Sequence, residues 1–316
     1  MTRDRHPSRE VRELIHHLEE NSQPLDALSV EEARQQQESS LTGNSDVERV
    51  EAVRDREIEV AEREIPIRIY KPMSEGPHPV VVFYHGGGWV LGNIDTHDAL
   101  CRVLTNTADA IVVSVEYRLA PENPFPAAIE DCYEAVVWAT ENGESIGADP
   151  NRLAVAGVSA GGNLAAVVTQ VARDEGYPDI DYQVLMCPAT DFSFETKSYA
   201  ENGEGYLLSD SDMRWFWRHY LPHPLCGNNP YASPLRACDF SKLPRATVLT
   251  AGFDPLRDEG RRYAERLRRA GVAVRYRNYE QMIHGFMSRL NGPRKLSPAR
   301  DAIEDVGCDL RDTFGN

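Results

Sequence analysis

Residues 152–175 read RLAVAGVSAGGNLAAVVTQVARDE and contain the most informative pattern of the chain. It begins with an apolar run that predicts a strand buried on both faces, and it ends with the spacing of a helix. Between the two, Gly157 and Gly161 flank Ser159 in a G-x-S-x-G motif. Glycines here permit the sharp turn that lifts a serine hydroxyl above a sheet, near a helix N-terminus. In this strand–turn–helix context we predict that Ser159 is a nucleophile.

A glycine-rich segment, HGGGW at 85–89, directly follows another apolar run, VVVFY. Consecutive glycines leave backbone N–H groups unshielded, which suits the binding of an oxyanion formed when an acyl carbonyl is attacked. We assign the N–H groups of Gly86, Gly87 and Ala160 as the donors. A phosphate-binding loop is the alternative, but no Lys-Ser or Lys-Thr pair follows and the G-x-G-x-x-G fingerprint is missing.

A serine nucleophile needs a histidine base, and the base needs an acid that holds its tautomer. His284 lies in QMIHGF, after the strand-like VAVRYRNY, and Asp254 lies in GFDPLRDEG, directly after ATVLTAG. Both residues therefore follow strands, and the chain order Ser159, Asp254, His284 is typical of the α/β-hydrolase fold. We predict that the three side chains form a catalytic triad.

The other histidines and acids are weaker candidates. We expect His85 to brace the glycine loop, and a proline between His219 and His223 ends the helix that could have carried a shared metal site. No metal and no cofactor are expected. Asp258 and Glu259 read as a solvated acidic helix face. The remaining histidines are expected at the surface: His6, His16, His17, His78 and His97.

Strand and helix patterns alternate along most of the chain. Near-continuous apolar runs recur at 80–85, 110–117, 152–158, 182–188 and 246–252. Helices are expected near 97–108, 126–142, 161–175, 257–270 and 297–312. This alternation predicts an α/β fold with a mostly parallel central sheet flanked by helices. The alternating stretch EIEVAEREIPIRIY, at 57–70, predicts an antiparallel strand pair at its edge.

Two segments fall outside the alternation and are expected to form a helical cap. Residues 1–50 have apolar positions at helical spacing, then an SSLTGNS stretch that reads as loop. Residues 191–243 are rich in aromatic residues and proline, and the SDSD at 209–212 is expected to begin a helix. The catalytic core would then comprise 51–190 and 244–316.

The aromatic residues near the cap are candidates for a substrate pocket. We select Trp89, Trp215 and Trp217, although neighbouring helix positions point in different directions and at least one ring should pack on the core. A lid over a short pocket favours acyl chains of about two to eight carbons, because each buried CH₂ contributes only while space remains.

Composition restricts the partners. The 316 residues carry a formal charge of −16, which disfavours nucleic acid and anionic membrane surfaces and leaves small neutral substrates. The polar start resembles no secretory signal, and no apolar run is long enough to span a membrane, so we expect a cytoplasmic protein. The six cysteines lack zinc-ligand spacing and are expected to be buried free thiols. A homodimer is left open.

With these residues in place, the chain resembles the hormone-sensitive-lipase-like carboxylesterases, also called bacterial family IV esterases. The resemblance rests on HGGGWVLGNIDTHD at 85–98, YRLAPENPFPAAIED at 117–131, GVSAGGNLA at 157–165, GFDPLRDEG at 252–260 and HGF at 284–286. It implies an α/β-hydrolase fold with a cap, and the triad and oxyanion residues assigned above. One departure is Val158, where the family commonly has an acidic residue.

The resemblance implies a serine carboxylester hydrolase that cleaves small, neutral, short- to medium-chain esters through an acyl-enzyme on Ser159. Two alternatives stay open. One is an amidase or formamidase that uses the same triad, and the other is a non-catalytic small-molecule binding protein on the same scaffold. The presence of His284 argues against the second, because a receptor needs no complete triad.

Overall fold

The computed structural model describes residues 6–42, 47–60, 63–291 and 295–315. Its strands are β1 (Ala52–Val60), β2 (Arg63–Lys71), β3 (His78–Tyr84), β4 (Ile111–Val115), β5 (Ala148–Val158), β6 (Tyr182–Met186), β7 (Arg245–Phe253) and β8 (Val274–Ile283). Its α-helices are α1 (Arg9–Asn21), α2 (Val30–Leu41), α3 (Asp98–Ala108), α4 (Ala127–Ile146), α5 (Ala160–Glu175), α6 (Lys197–Asn202), α7 (Asp210–Tyr220), α8 (Arg257–Arg269) and α9 (Ser297–Phe314).

All eight strands belong to one sheet, in the order β1-β2-β4-β3-β5-β6-β7-β8. The pairs β1–β2 and β2–β4 are antiparallel, and every pair from β4 to β8 is parallel. The mostly parallel sheet and its antiparallel edge are thus confirmed. Within the stretch used to predict that edge, residues 61 and 62 lie outside the described residues.

Helices cover both faces of the sheet, as β3 illustrates. Val80 and Val82 pack in one apolar cluster with residues of α4, α5 and α8, whereas Val81 and Phe83 pack in a second cluster with α3 and α9. Successive side chains of a strand point to opposite faces, so an uninterrupted apolar run is what a doubly covered strand requires. The helices expected from the sequence all lie at their predicted positions.

The sheet brings the carboxyl ends of β5, β7 and β8 to one edge. β5, β6, β7 and β8 are consecutive neighbours and run parallel, so the residues that follow them emerge on the same side. Ser159 follows β5, Asp254 follows β7 and His284 follows β8. The fold therefore positions three residues that are distant in the sequence at the end of the sheet where ligands bind.

The two segments that we propose as the cap are helical. α1 and α2 come from the N-terminal segment, and α6 and α7 come from 191–243. α7 begins with the expected cap, in which Ser209 and Asp212 bond each other's backbone N–H. The loop expected at 39–45 is helix as far as Leu41, and 43–45 lies outside the described residues. Across the part of the chain with described coordinates, no helix is long and apolar enough to cross a membrane.

Candidate active site

Ser159 lies on a strained turn between β5 and α5. Its φ of 58° is in the left-handed region, which residues with a side chain rarely adopt. The turn is possible because its flanking positions are glycine. A Cβ on Gly157 would lie 2.1 Å from Gly161 O, and one on Gly161 would lie 2.0 Å from Tyr84 O. The motif thus permits close backbone packing that exposes the serine hydroxyl.

The structure brings Ser159, His284 and Asp254 into one hydrogen-bonded chain. His284 Nε2 is 2.9 Å from Ser159 Oγ, and His284 Nδ1 is 2.8 Å from Asp254 Oδ2. With the proton of the ring on Nδ1, donated to the carboxylate, Nε2 can accept the serine proton. This is the arrangement that a serine nucleophile and its base require.

Asp254 is fixed by its surroundings. Its carboxylate is fully buried, and Oδ1 accepts a hydrogen bond from the Leu256 N–H at 2.8 Å. The Asn202 side chain at the end of α6 donates to Asp254 O at 3.2 Å. Asn202 was missed by sequence reasoning, since no local pattern links an asparagine of the 191–243 segment to this turn.

The glycine loop differs from our assignment at one position. The Gly86 N–H donates to His97 Nε2 at 3.3 Å, so it is already occupied and is not an oxyanion donor. His97 was expected at the surface, but its side chain is only 3% exposed. The short 3-10 helix Asp95–His97 brings the imidazole to the Gly86 peptide. His78, also expected at the surface, is buried as well.

Hydrogen bonds assign the tautomer of His97. Thr96 Oγ1 donates to Asn93 O at 2.7 Å, so it accepts from His97 Nδ1 at 2.9 Å. The ring proton is then on Nδ1, which leaves Nε2 as the acceptor for Gly86. Burial, with a smaller contribution from nearby His85, lowers the pKa of His97 to about 3. His97 is therefore neutral near pH 7 and keeps this acceptor.

His85 braces the same loop, in agreement with its expected role. Its ring stacks on Tyr117, with centroids 4.1 Å apart, and its Nδ1 is 2.9 Å from Gly86 O. Tyr117 Oη donates to His85 O at 2.8 Å. Burial lowers the pKa of His85 to about 4, so it is also neutral near pH 7. Both sides of the Gly86 residue are thus held by uncharged imidazoles.

Three other N–H groups remain available near the serine. In the chain as described, no protein acceptor takes the N–H of Gly87 or Gly88. Ala160 is the first residue of α5, where the N–H has no intrahelical partner. Gly87 and Gly88 line the same cavity as Ser159 and His284. Gly88 is a donor candidate that our sequence assignment left out.

A cavity of about 590 Å³ lies above these groups. Its floor includes the glycine loop, Val158, Ser159 and His284. Its walls come from both proposed cap segments: Leu18, Leu25, Leu41, Leu208, Met213 and Phe216. At the position where the family commonly has an acid, Val158 therefore contributes an apolar surface. The cavity is suited to an apolar group attached to a reactive carbonyl.

The three tryptophans selected for the pocket do not line this cavity. Trp89 is fully buried and stacks on Tyr220 with centroids 4.3 Å apart, and Trp217 packs 4.5 Å from Trp89. Trp215 is also buried and contacts His219. All three are packing residues. On α7, Trp215 and Trp217 point away from the direction of Phe216, because each successive helix position turns by about 100°.

Phe216 takes the place expected for the tryptophans. Met213 and Phe216 are three residues apart on α7, so they share the helix face that meets the cavity. The ring lies against the glycine loop: a Cβ on Gly88 would be 2.1 Å from Phe216 Cδ1. The sequence showed Phe216 among the aromatic residues, but it did not determine which face of the helix meets the cavity.

Asp258 and Glu259 do not form a solvated face. Both are buried, and Glu259 Oε1 accepts from the Thr190 N–H at 2.6 Å, while Asp258 Oδ2 accepts from the Ser198 N–H at 3.0 Å. Burial raises the pKa of Glu259 well above its usual range. The segment that starts near Asp191 covers this turn, so the acids anchor it to the helix that follows Asp254.

One group of possible metal ligands overlaps the triad, formed by Cys187, Asp254 and His284. The last two side chains already bond each other, and burial raises the pKa of the Cys187 thiol well above its usual value. A protonated thiol is a poor ligand, so this group does not favour a metal. The cysteines are free, but only Cys101, Cys132 and Cys187 are buried as expected; Cys226 is partly exposed, and Cys238 and Cys308 are exposed.

The family described as alpha/beta hydrolase fold matches residues 81–288. The chain belongs to this family, and its resemblance to the hormone-sensitive-lipase-like group is confirmed. The carboxylic ester hydrolase LipN of Mycobacterium tuberculosis is 51% identical over 231 residues, which make up 71% of this chain and 61% of LipN. The chain thus matches less than two thirds of the length of this relative.

Solved structures resemble nearly the whole chain. An ester-hydrolase, EH1AB1, from the metagenome of Lake Arreo is 42% identical with a TM-score of 0.93, over 98% of this chain and 100% of that one. A hyperthermophilic esterase from Pyrobaculum calidifontis is 39% identical with a TM-score of 0.89, over 98% and 99% of the two chains. Both similarities extend beyond the core to the helices above it.

Proposed function

We propose that this protein is a carboxylesterase that hydrolyses esters of short- to medium-length acyl groups. The observation that carries the proposal is the continuous hydrogen-bonded chain from Asp254 through His284 to Ser159 Oγ at the floor of a largely apolar cavity. Membership of the α/β-hydrolase family and the esterase names of its relatives support the same reaction class.

In the proposed reaction, Ser159 Oγ attacks the ester carbonyl while its proton passes to His284 Nε2. The protonated imidazole then donates that proton to the leaving alcohol, which gives an acyl-enzyme on Ser159. Water, deprotonated by His284 in the same way, hydrolyses the acyl-enzyme and restores the serine. Asp254 keeps the imidazole in the required tautomer and stabilises its positive charge in both steps.

The oxyanion of each tetrahedral intermediate is assigned to the N–H groups of Gly87, Gly88 and Ala160. Donors fixed before the reaction stabilise the developing charge without reorganising during it, and one such donor contributes about 100- to 1000-fold to kcat in comparable sites. His97 acts as a positioning residue, since it holds the Gly86 peptide that precedes two of the donors. No cofactor takes part in this scheme.

The proposed cap determines acyl length through the cavity walls. Leu208, Met213 and Phe216 face the cavity from the 191–243 segment, and Leu18 and Leu25 face it from the N-terminal segment. Each CH₂ group that these side chains bury contributes roughly 0.8 kcal/mol until the space is filled. We expect an optimum at acyl chains of about two to eight carbons, as the sequence suggested.

The test is a rate series on 4-nitrophenyl esters from acetate to palmitate, with a stopped-flow record of the first turnover. A burst of 4-nitrophenol equal to the enzyme concentration, followed by slower turnover, is expected where deacylation is rate-limiting. Mass spectrometry of the quenched enzyme should find the acyl group on the peptide that contains Ser159. An acyl group on another residue would refute the assignment of the nucleophile.

An aryl formamide separates the esterase from the amidase alternative. We expect 4-nitrophenyl butyrate to be turned over far faster than 4-nitroformanilide. The opposite ranking would favour a formamidase that uses the same triad. Failure to hydrolyse any ester of the series, with the amide also inert, would favour a binding protein.

A further inference from the structure

Arg289 occupies an unusual position close to the catalytic histidine. It follows the 3-10 helix Phe286–Ser288, which begins two residues after His284. Its Nη1 donates to Ser40 O at 2.9 Å and to Ser40 Oγ at 3.0 Å, in the last turn of α2. The guanidinium thus connects the loop of the catalytic base to the N-terminal helices.

No carboxylate of the described residues balances this charge. Within residues 6–42, 47–60, 63–291 and 295–315, Arg289 forms no ion pair, whereas Arg34, the other arginine that anchors α2, pairs with Glu122 at 2.7 Å. Burial lowers the pKa of Arg289 to about 10, and no neighbouring acid offsets that effect. The side chain is still cationic near pH 7, in surroundings that solvate it poorly.

Arg289 also lines the cavity that contains Ser159 and His284. Of the described residues around that cavity, it is the only arginine or lysine. Two acids share the lining. Glu19 lies exposed on α1, and the Asp212 carboxylate is occupied by the Ser209 N–H at 2.9 Å. Neither acid pairs with Arg289, and Nε and Nη2 of Arg289 have no hydrogen-bond partner in the described chain.

We infer that Arg289 binds a carboxylate on the substrate, so that the preferred substrates include esters with a free carboxylate at the end remote from the scissile bond. This inference rests on the proposed function and concerns the same cavity. Two free N–H donors on a planar guanidinium match the two oxygens of a carboxylate, and they do so best where water is scarce. It extends the sequence-based expectation, which considered only neutral esters.

The substrate carboxylate supplies the negative charge that the described protein residues do not place beside Arg289. Bound carboxylate neutralises the half-buried guanidinium, while Nη1 keeps its bonds to Ser40 and holds α2 in place. The cap anchor and the recognition group are then the same side chain. A neutral ester of equal length fills the same apolar walls but leaves the charge of Arg289 unpaired.

The experiment compares two pairs of esters, in each of which one member carries a free carboxylate and the other is its neutral methyl ester. The mono-4-nitrophenyl ester of adipic acid carries the carboxylate on the acyl side, and its methyl ester is the neutral control. A second pair, 4-acetoxybutanoate and its methyl ester, carries the carboxylate on the alcohol side. For each pair the measured quantity is the ratio of kcat/KM for the acid to kcat/KM for the neutral ester.

We expect Arg289→Gln to lower this ratio by about 10- to 100-fold in at least one pair, the effect of losing a charge-assisted hydrogen bond. Arg289→Lys keeps the charge and should retain part of the ratio. Arg34→Gln is the matched control, because Arg34 also ties α2 to backbone carbonyls, Val90 O and Ala120 O, but does not line the cavity. It should leave the ratio unchanged.

An unchanged ratio in Arg289→Gln for both pairs would overturn the inference. So would wild-type enzyme that hydrolyses both neutral esters but is inhibited no more strongly by hexanoate than by hexanamide, its uncharged analogue, a comparison that needs no variant. Inactivity on all four esters would instead refute the proposed function, so the two failures are distinguishable.

Discussion

The floor of the cavity, formed by the glycine loop, Val158, Ser159 and His284, and its roof, formed by the two proposed cap segments, are held by different kinds of interaction. The floor is fixed by backbone geometry and buried hydrogen bonds: Ser159 sits on a turn with a φ of 58°, and His97 holds the Gly86 peptide at 3.3 Å. The roof over it is held by ring packing, such as Trp217 at 4.5 Å from Trp89. Directional bonds resist displacement of a few tenths of an ångström, whereas apolar packing tolerates changes of shape more readily.

From this contrast we expect the floor to carry out the chemistry and the roof to select among esters. Reacting groups must be held within about 0.5 Å of productive geometry, which strand ends and buried hydrogen bonds achieve. A wall that only limits length needs volume and apolarity. Substitutions in the floor should therefore lower kcat for every ester, while substitutions in the roof should change the ranking of esters.

The largest effect is expected at the nucleophile. Ser159→Ala should lower kcat by about 10⁵-fold or more for all acyl lengths, because no other group in the scheme can form the acyl-enzyme. The fold should persist, since alanine is smaller and the turn keeps both glycines. Rates on the 4-nitrophenyl ester series and a thermal melt check the two statements.

Asp258→Asn is the control variant: like Asp254, Asp258 is a buried acid, but it lies in the first turn of α8 and bonds the Ser198 N–H rather than His284. It should lower stability more than kcat. A residual rate in Ser159→Ala above about a hundredth of wild type would contradict the assignment of the floor.

The triad in the floor could be predicted from the sequence because each of its three residues follows a strand. Ser159, Asp254 and His284 lie directly after β5, β7 and β8, and parallel neighbours place those ends together. Local sequence thus determines both the element and the position within it. The antiparallel edge was predictable from another local signal, the alternation of apolar and polar residues along most of 57–70.

The missed features depend on contacts between distant segments. His97 is buried because its short helix meets the Gly86 peptide, and Glu259 is buried because the segment near Thr190 covers it. The local sequence does not indicate that a distant segment will bury these side chains. On α7 the aromatic residues were visible, but which of Trp215 or Phe216 faces the cavity depends on the rotation of the helix, which only packing determines.

A smaller but still general effect is expected at His97. His97→Ala should lower kcat by about 100-fold with little change in KM, because the Gly86 peptide can then rotate and misplace the donors that follow it. His97→Gln should recover part of the rate, since its amide oxygen can accept the Gly86 N–H. The kcat and KM values of both variants check this.

His78→Ala is the control for burial alone. His78 is a buried histidine at the opposite end of β3, so its loss should reduce stability and leave kcat nearly unchanged. Equal losses of kcat in His78→Ala and His97→Ala would show that His97 has no specific role in positioning the Gly86 peptide.

Substitutions in the roof should change the preference among acyl lengths rather than lower kcat for every ester. Phe216→Ala should raise kcat/KM for octanoate relative to acetate by about tenfold, because removing the ring lengthens the space available to the acyl chain. Trp217→Ala should instead lower the free energy of unfolding by about 3–5 kcal/mol with the chain-length profile unchanged. Profiles and urea melts of both variants test this division. A shifted chain-length profile in Trp217→Ala and an unshifted one in Phe216→Ala would show that Trp217, rather than Phe216, limits the acyl pocket.

The smallest expected effect is on the pH dependence of the free energy of unfolding, through the buried histidines His85 and His97. Burial holds the pKa of His97 at about 3 and that of His85 at about 4, whereas both are near 6.5 in an unfolded chain. The unfolded state therefore binds protons first as the pH falls. Stability from these two groups is complete above about pH 6.5, declines below it, and stops declining below the folded pKa values.

Each buried histidine should contribute a slope of about 1 kcal/mol per pH unit to the free energy of unfolding between about pH 6 and pH 4. Carboxylates add their own slopes, so the informative quantity is the difference between two proteins. His97→Gln removes one titrating group and should give a slope shallower by about that amount, in urea unfolding at several pH values. Thr105→Val, a buried and non-titrating position on the neighbouring helix α3, should lower stability at every pH but keep the wild-type slope. If His97→Gln kept that slope as well, His97 would not be a neutral, buried acceptor, and the hydrogen bond that holds the Gly86 peptide would lose its support.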